Sequence, residues 1–254
     1  MKRMKRIFLF MVIVSAISGV GAAPPEDAVG RLVYRADMKR RGTSSEGSMT
    51  MTVVRPDWKR TVSMKAWSLG LEYSLIVITA PAKEKGQAFL KRKNEMWSFV
   101  PSIDRIVKLP PSMMGQSWMG SDFTNDDLLK ESSLSSDYTH KLLGEEKTGG
   151  YLCSKIEAVP KEDAAVVWGK ILLWITKDDE NIIRSERYDE DGDLMSVETA
   201  DNIKKVDDRV IPTHMEMVPS DKPGNRTILE TGDTKFNIPL KETFFSQQNL
   251  RKVR

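Results

Sequence analysis

Two periodicities divide the chain. Over residues 25–40 apolar side chains recur at Ala28, Val29, Leu32, Val33 and Ala36. That spacing predicts an amphipathic helix, opened by Pro24-Pro25-Glu26-Asp27 and ended at Gly42. From Glu46 the period falls to two. Met49, Met51 and Val53 alternate with Thr50, Thr52 and Val54, and Val62, Met64 and Ala66 alternate with Ser63, Lys65 and Trp67. Between these runs Arg55-Pro56-Asp57-Trp58 reads as a hairpin turn. If one face of this early sheet is buried, Met49, Met51, Val53, Val62 and Met64 point inward together, and Thr50, Ser63 and Lys65 point outward. A third strand over 71–79 is apolar on both faces in its middle, and shorter strands follow at 87–91, 95–100 and 105–109.

The segment 110–131 interrupts the alternation. Pro110-Pro111 stops a strand, and 112–120 holds Met113, Met114, Trp118 and Met119. A short helix follows, with Thr124 or Asn125 as its N-cap and Asp126 and Asp127 in its first turn. Seven further strands are expected at about 138–147, 151–159, 168–177, 181–189, 193–203, 209–218 and 225–236, with Asp191-Gly192 as a hairpin turn. A short helix over 240–250 carries Phe244, Phe245 and Leu250. So many consecutive strands must curl or close. The expected fold is mainly β: a strongly curved antiparallel sheet, a half-open β-barrel, with a few helices covering its concave face.

The first 22 residues change the charge. Lys2, Arg3, Lys5 and Arg6 precede an apolar stretch over 7–17, and Val20-Gly21-Ala22 suits a signal-peptidase site. Residues 1–22 therefore read as a signal peptide and 23–254 as one exported domain, outside the cytoplasm. The whole chain has 39 Lys+Arg against 36 Asp+Glu; without the four basic residues of the signal the remainder has 35 against 36. A basic surface for nucleic acid has no support in that balance. One cysteine, Cys153, cannot form an internal disulfide and reads as a small buried hydrophobe.

No catalytic constellation emerges. His140 and His214 belong to no metal-ligand spacing, and the sequence has neither GxSxG nor a phosphate-cradling glycine loop. Asp189, Asp191 and Asp193 surround Gly192, but the spacing is that of a hairpin tip rather than a calcium loop. The expectation is a non-enzyme without cofactor or metal. The 14 Met and 6 Trp are more informative. Methionine adapts to irregular apolar partners, so the early strands, Met96 and the loop residues Met113, Met114, Trp118 and Met119 are the candidate lining and lid of an apolar site. The rival for the loop is a permanent plug at the end of the barrel.

Residues 86–129 carry a family resemblance. Gly86-Gln87-Ala88-Phe89-Leu90-Lys91, Glu95-Met96-Trp97-Ser98-Phe99-Val100-Pro101 and Arg105-Ile106-Val107-Lys108-Leu109-Pro110 resemble bacterial outer membrane lipoprotein-sorting proteins of the LolA-like group. Trp118-Met119-Gly120-Ser121-Asp122-Phe123-Thr124 with Asp126-Asp127-Leu128 is similar to that family's GSDFT…DL signature. The resemblance implies a half-open barrel with helices as a lid, and an apolar concave face that holds the acyl chains of lipids or lipoproteins. It implies a periplasmic location, a monomer, and exchange with a membrane partner such as an inner-membrane exporter of the resistance-nodulation type. An accessory subunit that senses lipid or protein for a membrane complex is the alternative reading.

Protein recovered from the periplasm is expected to begin at Ala23 or Pro24. N-terminal sequencing that returns Met1 would overturn the signal-peptide reading.

Overall fold

The computed structural model describes residues 27–129, 134–164 and 166–253. The signal peptide and cleavage site expected over residues 1–23 lie outside the described residues.

Helix α1 (Ala28–Arg41) begins where the pattern places it. Asp27 caps it, accepting a hydrogen bond from the Gly30 amide at 2.7 Å. Among the described residues thirteen strands then form one sheet. They are β1 (Ser44–Val54), β2 (Lys59–Leu69), β3 (Tyr73–Ala80), β4 (Ala88–Arg92), β5 (Glu95–Val100), β6 (Arg105–Lys108), β7 (Tyr138–Thr148), β8 (Tyr151–Pro160), β9 (Lys170–Thr176), β10 (Ile182–Tyr188), β11 (Leu194–Val206), β12 (Arg209–Pro219) and β13 (Arg226–Phe236). The insertion contains α2 (Asn125–Leu129), and the chain closes with a 3-10 turn at Glu242–Phe244 and α3 (Gln247–Lys252).

The sheet is antiparallel, curved and unclosed. Its order is β6-β5-β4-β3-β2-β1-β13-β12-β11-β10-β9-β8-β7. Two meanders, β1–β6 and β7–β13, are therefore joined only where β1 meets β13. Their register runs from Ser45 opposite Phe236 to Val54 opposite Arg226, with an irregularity between Gly47 and Met49. Two glycines make that irregular join possible. A Cβ at Gly47 would lie 2.4 Å from Thr234 Oγ1, and one at Gly232 would lie 2.3 Å from Ser48 Oγ.

Register settles which face each side chain takes. Met49 lies opposite Met64 and Met51 opposite Val62, and all four stand on the concave face. Lys65 stands on the convex face, ion-paired to Glu46 at 2.6 Å and 4.9 Å from the Trp67 ring. The concave face is covered in two places. Helix α1 packs Val29, Leu32, Val33 and Ala36 on Ile156, Ala158, Ile171, Leu173 and Ile175 of β8 and β9. The insertion packs Trp118, Met119, Leu128 and Leu129 on Met51, Val53, Val62, Phe89 and Met96.

One helix departs from the expected arrangement. The C-terminal segment does not join the others on the concave face. Phe244, Phe245 and Leu250 pack on Trp67, Tyr73, Leu75, Val77, Leu90, Trp97 and Phe99, on the convex side of β2–β5. The reason is visible in these strands: β3 and β4 are apolar on both faces, so a sheet covered on one side only would leave aromatic surface in water. Phe245 is fully buried, 5.7 Å from the Tyr73 ring and 5.3 Å from that of Phe244. Tyr73 donates a hydrogen bond to Glu242 at 2.8 Å, which pins the start of the tail.

Truncating this anchor tests the convex core. Phe245→Ala is expected to cost about 3–5 kcal/mol, the usual penalty for a large core aromatic, read by urea denaturation. A loss near zero would mean that the tail is not part of the core.

Candidate functional site

Strands β6 and β7 are the two opposite edges of the sheet, and residues 109–137 connect them. The described first part of this crossing segment, 109–129, packs Trp118, Met119, Leu128 and Leu129 on the concave face. Hydrogen bonds give it a fixed shape. The Trp118 amide donates to Phe123 O at 2.7 Å, and Ser121 Oγ donates to Trp118 O at 2.7 Å. Met119 and Gly120 take left-handed backbone angles, φ 52° and 74°, which reverse the chain between them. Thr124 and Asp127 cap α2 reciprocally: Thr124 N donates to Asp127 Oδ2 at 2.8 Å and Asp127 N to Thr124 Oγ1 at 3.1 Å.

The segment is fastened to the sheet at Asp122. Its carboxylate is almost fully buried, accepts from Arg55 Nη1 at 3.0 Å and from Thr227 Oγ1 at 2.7 Å, while its amide donates back to Thr227 Oγ1 at 2.9 Å. Arg55 also donates to Gly120 O at 2.7 Å, and Arg60 to Met119 O at 3.2 Å. The Gly-Ser-Asp-Phe-Thr stretch is thus a clamp: one residue reverses the chain, one tucks it, one docks it and one caps the helix.

Between α1 and this clamped segment the concave face is left open, as a cavity of about 490 Å³. Met49, Met64, Ala66 and Ile76 line it from β1–β3, Ile211, Met215, Met217 and Leu229 from β12 and β13, and Trp118, Phe123, Asp127 and Leu128 from the insertion. Charge also enters: Arg40 and Arg41 of α1, Ser185 and Arg187 of β10, and Glu198 of β11. Arg187 and Glu198 are ion-paired at 2.7 Å, and Arg40 lies 4.0 Å from the same carboxylate. Burial by itself would raise the Glu198 carboxyl; the charges of Arg187 and Arg40 and the Arg187 hydrogen bond outweigh it and hold the group below the usual carboxylate range.

The ten residues expected to form the site divide into three groups. Met49, Met64 and Trp118 line the cavity. Met51, Val53, Val62 and Met96 are buried against Trp118 beneath it, and Met119 is half-buried on the same cluster; these residues form a floor rather than a lining. Met113 and Met114 are a correction. Met113 is exposed, Met114 half-buried, and neither reaches the cavity. The 3-10 turn at Pro111–Met113 carries them away from it, and they contribute through the backbone: Asn125 Nδ2 donates to Met113 O and the Asp126 amide to Met114 O, each at 2.9 Å. Trp118 is only 4% exposed and meets Phe89 edge-to-face at 5.4 Å. That packing is the geometry expected of a plug.

Groups set aside on sequence grounds are also placed. Cys153 is buried, and burial pushes its thiol up, away from reactivity. Burial pulls the His140 imidazole down, and its Nε2 meets Leu134 O at 2.7 Å; His214 pairs with Asp201 at 2.9 Å. Among the described residues no group of three His, Cys, Asp or Glu could hold a metal. The Asp193 amide donates to Asp189 Oδ1 at 2.8 Å, as in an ordinary hairpin tip.

A family model described as "Uncharacterized protein" matches residues 70–252. The chain belongs to that family. No curated protein sequence matches this chain. Three solved structures share the fold, each 24% identical. A DUF1329 family protein from Desulfovibrio piger has a TM-score of 0.77, with 88% of this chain and 98% of that one covered. A LolA superfamily protein from Nitrosomonas europaea has a TM-score of 0.73, covering 87% and 98%. A domain named for outer membrane lipoprotein sorting, from Vibrio parahaemolyticus, has a TM-score of 0.72, covering 87% and 97%. The fold is thus LolA-like, as the resemblance over residues 86–129 implies.

Replacing Trp118 tests the plug. Trp118→Ala is expected to cost about 3–5 kcal/mol in chemical denaturation, as a core truncation does. A small stability loss together with loss of apolar-ligand retention would instead make the segment a lid.

Proposed function

We propose that this protein is a carrier that shelters the acyl chains of a lipid or lipoprotein in its cavity, in the periplasm. The observation that carries this reading is the unfilled apolar space itself. A folded interior is normally close-packed, yet here about 490 Å³ remains between α1 and the crossing segment, with a largely apolar surface to which Met49, Met64, Met215, Ile76, Leu229 and Trp118 contribute. Ligand sites typically occupy about 300–1,000 Å³ and are lined in this manner. Each buried CH₂ is worth about 0.8 kcal/mol, so a sixteen-carbon chain gains on the order of 10 kcal/mol before ordering costs. Affinity of that kind needs no covalent chemistry, in keeping with the absence of a catalytic set in the sequence and with the LolA-like fold. Walls rich in Met (Met49, Met64, Met215, Met217) suit chains of varied shape. Passage of cargo to or from a membrane partner, such as an exporter of the resistance-nodulation type, is the exchange this reading entails. Release requires only that the receiving site bind the chain better.

Native mass spectrometry of protein taken from its own cell envelope is expected to show a bound amphiphile. Ala66→Phe, which adds a ring to the cavity wall, is expected to lose that mass while keeping the fold by circular dichroism. Wild-type protein that is consistently empty, and that fails to take up a fluorescent fatty acid, would overturn the reading.

A further inference from the structure

The charged end of the cavity holds more hydrogen-bond donors than partners. On β10, Ser185 and Arg187 are two residues apart and so share the concave face. On β11, Glu198 lies directly opposite Ser185, and Ser196 directly opposite Arg187. The four side chains form one tight rectangle across two strands, since directly opposed residues have Cβ atoms about 4.5–5.5 Å apart. Only one link is made among them, Arg187 Nη2 to Glu198 at 2.7 Å. Arg187 Nη1, Ser185 Oγ and Ser196 Oγ are buried without a partner, and so is Asn181 Nδ2 just before β10. Ser185, Ser196 and Asn181 are 4%, 5% and 3% exposed.

Stranded donors of this kind are expensive, at about 1–3 kcal/mol each. An ordinary core does not gather several in one place. Around this corner Arg40 and Arg41 pair with Asp37, and Arg187 and Arg40 face Glu198. Arg187 Nη1 is thus a cationic donor without a partner beside a largely apolar cavity.

We infer that Arg187, Ser185 and Asn181, with Ser196 behind them, form a headgroup subsite for an amphiphile bearing one negatively charged oxygen group, a carboxylate or a phosphodiester. The inference rests on the carrier reading and adds the class of head to it. The chain lies along Met49, Met64 and Met215 towards Trp118, and the head accepts hydrogen bonds from Arg187 Nη1 and Ser185 Oγ. Glu198 has a positioning role: it holds the guanidinium through Nη2 and leaves Nη1 for the ligand.

The test uses the mature protein loaded with the neutral fluorophore N-phenyl-1-naphthylamine, which needs only the apolar cavity. Palmitate and dipalmitoyl phosphatidylglycerol are compared as competitors with their uncharged counterparts, methyl palmitate and dipalmitoylglycerol. At least one anion is expected to compete about tenfold better than its neutral counterpart, the equivalent of about one charge-assisted hydrogen bond. Which of the two does so tells carboxylate from phosphodiester. Arg187→Gln is expected to bring that ratio close to one without changing the neutral competitor. Ser185→Ala removes only a hydroxyl and leaves the ion pair intact, so it serves if Arg187→Gln fails to fold; it is expected to lower the ratio and leave stability unchanged or improved. Equal competition by charged and neutral molecules in the wild type would overturn the subsite while leaving the apolar carrier standing. A ratio that neither variant alters would also overturn it. Failure of the fluorophore itself to bind would remove the carrier reading beneath it.

Discussion

Everything on the concave face depends on the pairing of β1 with β13. Each meander alone is a ribbon with one apolar side and nothing to fold it against. Their union makes thirteen strands continuous, and a twisted sheet of that width curls. It does not close, so β6 and β7 remain edges, connected by residues 109–137. At Gly47 and Gly232 an added Cβ would crowd the Thr234 and Ser48 side chains across the join, so a larger residue there would require those side chains to move. A slip of one residue here would turn Met49, Met51 and Val53 outward and empty the interior of its lining.

Curling creates a supply problem that the molecule solves from three directions. The concave floor under β1–β5 is filled by Trp118 and the leucines of α2, and the floor under β8 and β9 by α1. The convex side of β2–β5 is filled by the C-terminal tail. Because this last cover lies outside, the tail adds stability without taking up interior space. The space left between the two concave fillers is the cavity. Its persistence rests on the clamp at Asp122, where a buried carboxylate meets both Arg55 and Thr227. Removing Arg55 would leave the Asp122 carboxylate as an uncompensated buried charge, which is why a buried pair of this type defines a position more than it adds stability.

The cavity has two chemistries because two kinds of element reach it. Met49, Met64 and Ile76 of the first meander and Met215, Met217 and Leu229 of β12 and β13 supply apolar surface; Arg40 and Arg41 of α1, Arg187 of β10 and Glu198 of β11 supply charge. In water the Arg187–Glu198 pair would contribute little. Buried beside an apolar space, it keeps Glu198 ionised and orients a guanidinium that still has a donor to give.

Strand number, strand order along the chain, the first helix and the inward set Met49, Met51, Val53, Val62 and Met64 were all legible in the sequence, because period two and period 3.6 are local properties of the backbone. The Gly-Ser-Asp-Phe-Thr stretch likewise announced a turn followed by a capped helix. Three matters needed the tertiary structure. The tail's side of the sheet could not be read, because β3 and β4 are apolar on both faces and offer no preference. The fates of Met113 and Met114 depended on a turn that sends their side chains outward while their carbonyls hold α2. The polar corner was hidden for the opposite reason: Arg184-Ser185-Glu186-Arg187 is polar on both faces, so alternation does not say which side chains turn inward. Only the register of β10 against β9 and β11 places Ser185 and Arg187 over the cavity, because side-chain direction in a strand is local but the meaning of inside is set by what the strand is paired with.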